Sequence, residues 1–362
     1  MNIAYYVEMY RHNPHGGIAI WTKRLKDYYE TLGIQSRVYS YSDGIAGEIP
    51  EFVKLFPNVR ELLAYPYLGK KSIPEISGEH DLIHFASPLS LAWYKAEIPT
   101  IVTTHYIISR QADCLGKYLP TKYKLFFNPV TYRTFQHSEK KGFQNADHIT
   151  VCRPAFKEYL MQNMGLAEER ITIVRNGVDH QKFQPAPETQ FKQPVALFVG
   201  RGSLPKGFDT FLKSACMING KLIAVLPREP DKALLDQARN LKNVELKISL
   251  SEDEMVRIYQ QASVFVMPSL SEGAPLSTLE AMASGLPVVC TPEGSGDYIV
   301  DDYSGYIFNF KNAGQLAEKV NYLFDHPDLM VEFGKRNRQR IENELTLPII
   351  ADKILKIYKK LC

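Results

Sequence analysis

Two glutamates eight residues apart, Glu272 and Glu280, stand where the residue types pass from strand to loop to helix. Val264, Phe265, Val266 and Met267 form a short apolar run of the kind buried in a parallel sheet. Pro268 ends it. Pro275 suits the first turn of a helix, where its missing N–H costs nothing. Leu276, Leu279, Ala283 and Leu286 follow helical spacing, and Gly285 fits the position just past the end. A loop and helix leaving a parallel strand turn bare N–H groups and a positive dipole end toward the carboxyl edge of the sheet, a ready anion site. Two carboxylates beside an anion site are at odds with it unless they bind something uncharged, such as sugar hydroxyls. The same residues also fit an ordinary strand–helix unit carrying two solvated glutamates.

A second group supplies the positive charge. Val195-Ala196-Leu197-Phe198-Val199 reads as a buried strand, and Gly200-Arg201-Gly202-Ser203-Leu204-Pro205-Lys206-Gly207 follows it before a helix from about Phe208. Arg201 offers a planar fork of donors and Lys206 a point charge, and the glycines let a diphosphate approach. The order is not that of a Walker A loop. A plain solvent-exposed basic loop is the alternative. His105 closes a strand that begins at Pro99, at the carboxyl end where α/β sheets bind ligands. Taken alone, a histidine there is more often structural. Gly16-Gly17 precedes a helix running to about Leu32, after a first strand Asn2 to Val7. A glycine pair permits close approach of a ligand to the backbone, or simply a tight turn. It lacks the Gly-x-Gly-x-x-Gly of dinucleotide sites.

Strands and helices alternate through both halves, which predicts parallel sheets of the nucleotide-binding type. A chain of 362 residues is long for one core and suggests two domains. Asn176-Gly177 is a strong turn signal, followed by Val178, Asp179, Phe183 and Pro185 and a proline-bearing stretch to Pro194. The expected domains are therefore 1–186 and 187–345. Residues 346–362 carry Ile350, Ile354, Ile357, Tyr358 and Leu361 on one helical face. Asp43 to Glu79 holds several prolines and little period, predicting loops and a short helix. Ser251 with Glu254 is a capping box. Asp301-Asp302 precedes Ser304-Gly305 and reads as a turn, not a metal pair.

With 45% hydrophobic and 23% charged residues, the composition is that of an ordinary globular protein. No apolar run reaches the roughly 18 residues of a spanning helix. The N-terminus enters a strand directly, unlike a signal peptide. The five cysteines show neither metal spacing nor a disulfide framework, so a reducing, cytoplasmic location is expected. The net charge of +3 is unevenly placed. Residues 105–141 hold Arg110, Lys117, Lys122, Lys124, Arg133, Lys140 and Lys141 against Asp113 and Glu139. That excess is too weak for nucleic acid but suits an anionic membrane surface or acceptor. Its aromatic partners, among them Tyr118, Tyr123, Phe126, Phe127 and Phe135, form either the buried side of a helix or a patch touching lipid headgroups.

In order, Gly16-Gly17, His105, Asn176-Gly177-Val178-Asp179, Arg201 with Lys206, and Glu272 with Glu280 resemble the motifs of GT-B glycosyltransferases of family 4, also termed group 1. The resemblance covers nearly the whole chain. It implies an α/β architecture of two Rossmann-like domains facing across a cleft, with the last helix crossing back to the N-terminal domain. It implies transfer of a sugar from a nucleoside-diphosphate donor, UDP or GDP, to a hydroxyl of a glycan, lipid-linked or small-molecule acceptor. The anomeric configuration would be retained, without metal or cofactor, in cell-surface polysaccharide or glycoconjugate synthesis. By the same resemblance Arg201, Lys206 and the helix start at Gly273, Ala274 and Leu276 meet the diphosphate. Glu272 and His105 hold the donor sugar, Glu280 the ribose, and Gly16-Gly17 lie near the diphosphate and the acceptor. The N-terminal domain would bind the acceptor, at the inner membrane face if the basic stretch engages lipid. One motif departs: where the family has Gly-Gly-x-x-Glu, this chain has the shorter Gly294-Ser295-Gly296-Asp297. A sugar-nucleotide epimerase of the same fold and a non-catalytic nucleotide-binding relative are the rivals. The order of motifs speaks against the first, and the retained charged residues against the second.

Overall fold

The computed structural model describes residues 1–7, 16–40, 60–111, 129–186 and 194–362. The chain divides into two compact units, Met1–Asn176 with Pro348–Cys362, and Gly177–Leu347. The first contains one parallel sheet of β1 (Asn2–Tyr6), β2 (Gln35–Tyr39), β3 (Leu82–Phe85), β4 (Thr100–Thr104), β5 (His148–Val151) and β6 (Ile171–Ile173). Their order is β2-β1-β3-β4-β5-β6. The second contains β7 (Val195–Val199), β8 (Lys221–Leu226), β9 (Val244–Ile248), β10 (Val264–Met267), β11 (Val288–Cys290) and β12 (Gly305–Ile307), again all parallel. The order here is β12-β11-β10-β7-β8-β9.

Both sheets are wound in two directions from their first strand. The reversal falls between β1 and β3 in one unit and between β7 and β10 in the other. At such a point the loops leaving two adjacent strands diverge, and a crevice opens at the carboxyl edge. The central strands are buried on both faces, which explains why the sequence shows them as continuous apolar runs and not as alternation.

Two boundaries depart from expectation. The division falls at Asn176/Gly177 and not after residue 186. Val178 forms a parallel bridge with Thr346, and its N–H donates to the Leu345 carbonyl at 3.0 Å, so the chain from Gly177 onward already belongs to the second unit. The stretch from Asp43 to Glu79 is richer in helix than expected: its described part, Arg60–Glu79, is one helix containing Pro66 and Pro74. Proline costs roughly 3 kcal/mol inside a helix. Burial of Ala64, Leu68, Ile73 and Ile76 on one face outweighs that here.

The last helix, Leu347–Leu361, packs into the first unit through a buried polar cluster. Tyr29 donates its hydroxyl to the Ala351 carbonyl at 2.6 Å. His84 shares hydrogen bonds with the hydroxyls of Tyr358 and Thr103. No helix among the described residues is long and apolar enough to cross a membrane. The segment from Lys117 to Phe127, with Lys117, Lys122, Lys124, Tyr118, Tyr123, Phe126 and Phe127 of that basic and aromatic stretch, lies outside the described residues.

Candidate active site

Adjacency of β7 and β10 brings the two charged loops together. Arg201 and Lys206 lie on the loop after β7, and Glu272 on the loop after β10. Lys206 Nζ stands 2.5 Å from Glu272 Oε1, although the residues are 66 apart in sequence. The Glu272 side chain is only 9% exposed and that of Lys206 21%, so the pair is largely withdrawn from water. The loop backbones also interlock. Leu270 donates its N–H to the Pro205 carbonyl at 2.9 Å. At Gly207, φ is +68° and an added Cβ would meet the Pro268 carbonyl oxygen at 1.9 Å, so only glycine permits this approach. Arg201, on the same loop, is exposed.

Gly273 and Ala274 are buried in the β10 loop, and the helix after it is Leu276–Ala283 with Pro275 as its N-cap. Among the described residues no side-chain hydrogen bond caps that end. Its first N–H groups keep the positive end of the dipole available to an anion. Glu280, 9% exposed, lies on this helix and accepts a hydrogen bond from the Tyr259 hydroxyl at 3.0 Å. Thus Glu272 and Glu280 are neither a close acid–base pair nor two solvated groups: one is tied to a cation, the other to a phenol.

The shortened glycine loop is packed beside the same edge. Thr291 Oγ1 donates to the Ser269 carbonyl and accepts from the Gly294 N–H at 3.0 Å. A Cβ at Gly294 would come within 2.3 Å of the Met267 carbonyl oxygen. Asp297 adopts a positive φ of 64°, and its N–H donates to Ser295 Oγ at 3.1 Å. The Asp301 carboxylate accepts from the Ile307 N–H at 2.8 Å, as a turn residue would. No group of three or more metal-ligating side chains occurs among the described residues.

In the first unit His105 follows β4 directly and is buried. Its ring meets Trp21 edge-on, centroids 4.7 Å apart, on the helix Gly17–Thr31. Gly16 is the N-cap of that helix and Gly17 its first residue. Among the described residues nothing lies within 4 Å of a Cβ built on either glycine. The His105 Nε2 is buried without a hydrogen-bond partner among the described residues, a cost a ligand hydroxyl would relieve. Burial lowers the pKa of His105 to about 4; burial, with His105 as neighbour, lowers that of His84 to about 3. Free histidine titrates near 6.5. Between these values the unfolded chain binds protons that the fold refuses, so stability falls as pH drops from about 6.5 toward 4. Melting temperatures at pH 7.5 and 4.5 should therefore differ less in His105→Gln than in the parent. An equal difference would show that His105 is not held neutral.

Sequence reasoning missed Tyr259, Trp21 and Arg338. Trp21 lies on the buried face of its helix, and nothing in the local sequence makes it the neighbour of His105. Tyr259 reaches Glu280 only through packing of two helices. Arg338 donates to the carbonyls of His180, Phe183 and Ala283 at 2.7–2.9 Å, clamping the turn segment to the end of the Glu280 helix. No local pattern announces that contact.

Residues 15–182 match the family described as Glycosyltransferase Family 4, and residues 179–340 match Glycosyl transferases group 1. An α-1,3-N-acetylgalactosaminyltransferase of Campylobacter jejuni, which acts on N,N'-diacetylbacillosaminyl-diphospho-undecaprenol, is 30% identical over 61% of this chain. The match spans 62% of that enzyme's length. A glycosyltransferase of Methanocaldococcus jannaschii is 28% identical over 90% of this chain and 89% of its own. The Anabaena HepE structure in complex with UDP and glucose superposes over 100% of both chains, with a TM-score of 0.75 at 15% identity. With two doubly wound units, a basic loop and a glutamate brought together at a switch point, and matches from residue 15 to 340, the chain belongs to the group 1, family 4 glycosyltransferases of GT-B fold.

Proposed function

We propose that the protein is a retaining glycosyltransferase that moves a sugar from a nucleoside-diphosphate donor to a hydroxyl group. The observation that carries this is the Lys206–Glu272 pair at the β7/β10 switch point. A cation for the diphosphate and a carboxylate for sugar hydroxyls stand side by side, above an uncapped helix start. As the bond from the anomeric carbon to the β-phosphate oxygen breaks, negative charge grows on the phosphate. Lys206, Arg201 and the N–H groups near Ala274 to Leu276 stabilise that charge. The acceptor oxygen attacks from the face that the phosphate leaves, and its proton passes to the departing phosphate oxygen. One C–O bond forms and one breaks, and the configuration is kept without a covalent nucleophile or a metal.

Glu272 holds donor hydroxyls, Glu280 the ribose diol, and neutral His105 a sugar hydroxyl. The second unit binds the nucleotide and the first the acceptor. HepE bound to UDP and glucose supports a uridine donor, and the undecaprenol-linked substrate of the Campylobacter relative supports a lipid-linked glycan as acceptor. The excess of basic residues in 105–141 suits work at the cytoplasmic membrane surface, in polysaccharide or glycoconjugate assembly.

The test is calorimetry with UDP, GDP and ADP in EDTA, then incubation of the matching nucleotide-sugars with lipid-linked and soluble acceptors. Binding of UDP or GDP in the low micromolar range, and a product whose anomeric proton coupling matches the donor's, are expected. Inverted configuration would exclude the mechanism, conversion of donor without acceptor would favour an epimerase, and absence of nucleotide binding would favour a scaffold.

A further inference from the structure

Tyr259 has no part in the transfer as described, yet its hydroxyl is placed with care. It lies on the helix Glu252–Gln261, fully buried. Its ring meets Phe183 edge-on with centroids 5.7 Å apart, and Phe265 at 6.1 Å. In that apolar company phenylalanine would pack as well, and a hydroxyl is tolerated only because it is bonded. Its hydroxyl donates within one turn of the Leu276–Ala283 helix, to the Ser277 carbonyl at 3.2 Å and to Glu280 Oε2 at 3.0 Å.

We propose that Tyr259 is a positioning residue for the donor's ribose: its phenol fixes the Glu280 carboxylate in the orientation that accepts the 2′- and 3′-hydroxyls. This rests on the reading of Glu280 as the ribose-binding group. A glutamate side chain has several rotatable bonds, and ordering it at the moment of binding costs affinity. A charge-assisted hydrogen bond to one oxygen sets the plane of the carboxylate in advance. The phenol is itself held from behind. Phe183, against which its ring rests, gives its carbonyl to Arg338, and the same guanidinium holds the Ala283 carbonyl at the end of the Glu280 helix. The turn segment that follows Asn176-Gly177 thereby acquires a second task besides joining the units. It sets the distance between the Tyr259 ring and the helix that carries Glu280.

The experiment compares the intact protein with Tyr259→Phe and Glu280→Gln. Affinities for UDP and GDP and for their 2′-deoxy and 2′,3′-dideoxy counterparts are measured by calorimetry. The parent should prefer the ribose form by about tenfold or more, the scale of a lost hydrogen bond to a charged group. Tyr259→Phe should shrink that preference to about twofold and leave dideoxy binding unchanged, which also shows that the site is folded. With the donor sugar, KM should rise by about tenfold while kcat stays within about twofold, the pattern of lost uniform binding. Tyr259→Phe and Glu280→Gln together should lose no more ribose preference than Glu280→Gln alone. If Tyr259→Phe keeps the full preference while Glu280→Gln loses it, Tyr259 is merely structural and Glu280 still binds ribose. If the parent itself does not distinguish ribose from dideoxyribose, the role of Glu280 fails and that of Tyr259 with it.

Discussion

Lys206→Ala is expected to lower kcat by roughly three orders of magnitude, since a preorganised donor to a developing oxyanion contributes on that scale. The loss should exceed that of removing a solvated lysine, because Lys206 is also the partner of Glu272. Without the ammonium, the largely buried Glu272 carboxylate faces the incoming diphosphate without its Lys206 counter-charge. Nucleotide affinity should therefore fall together with turnover. In Lys206→Ala with Glu272→Gln, affinity for UDP or GDP should return toward that of the parent while kcat stays low. Steady-state kinetics and calorimetry on the three proteins separate these effects. Near-parental kcat in Lys206→Ala would remove Lys206 from the phosphate site.

Glu272→Gln alone should move binding and turnover in opposite directions. The carboxylate holds the ammonium at 2.5 Å. A diphosphate must share or take over that partner while approaching a like charge. At an effective dielectric near 20, such repulsion across several ångströms is on the order of 1–3 kcal/mol. Its removal should tighten binding of free nucleoside diphosphate by about tenfold. Turnover should nevertheless fall by about a hundredfold, because the donor sugar loses the group that orients it. Weaker nucleotide binding in Glu272→Gln would mean that Lys206 does not exchange partners.

Much of the fold was legible because parallel strands buried on both faces leave unbroken apolar runs. Val195–Val199 and Val264–Met267 were bounded from the sequence as the structure has them. The Ser251–Glu254 capping box was legible for a similar reason, since both partners lie within one turn. The long helix Arg60–Glu79 was not, because Pro66 and Pro74 carry a strong local signal against helix and only tertiary burial overrules it.

The sequence by itself determined which residue types could meet a diphosphate and a sugar, and that each follows a strand or opens a helix. Spacing along the chain carries that information, because a βα turn is local. Tertiary structure alone decided partnership. Strand order places β10 beside β7, so Lys206 meets Glu272 and not Asp209 in the helix that follows its own loop. Helix packing gives Glu280 to Tyr259, and burial beside Trp21 keeps His105 neutral. None of these contacts is written in a motif, since each joins segments that only the winding of the sheet brings within reach.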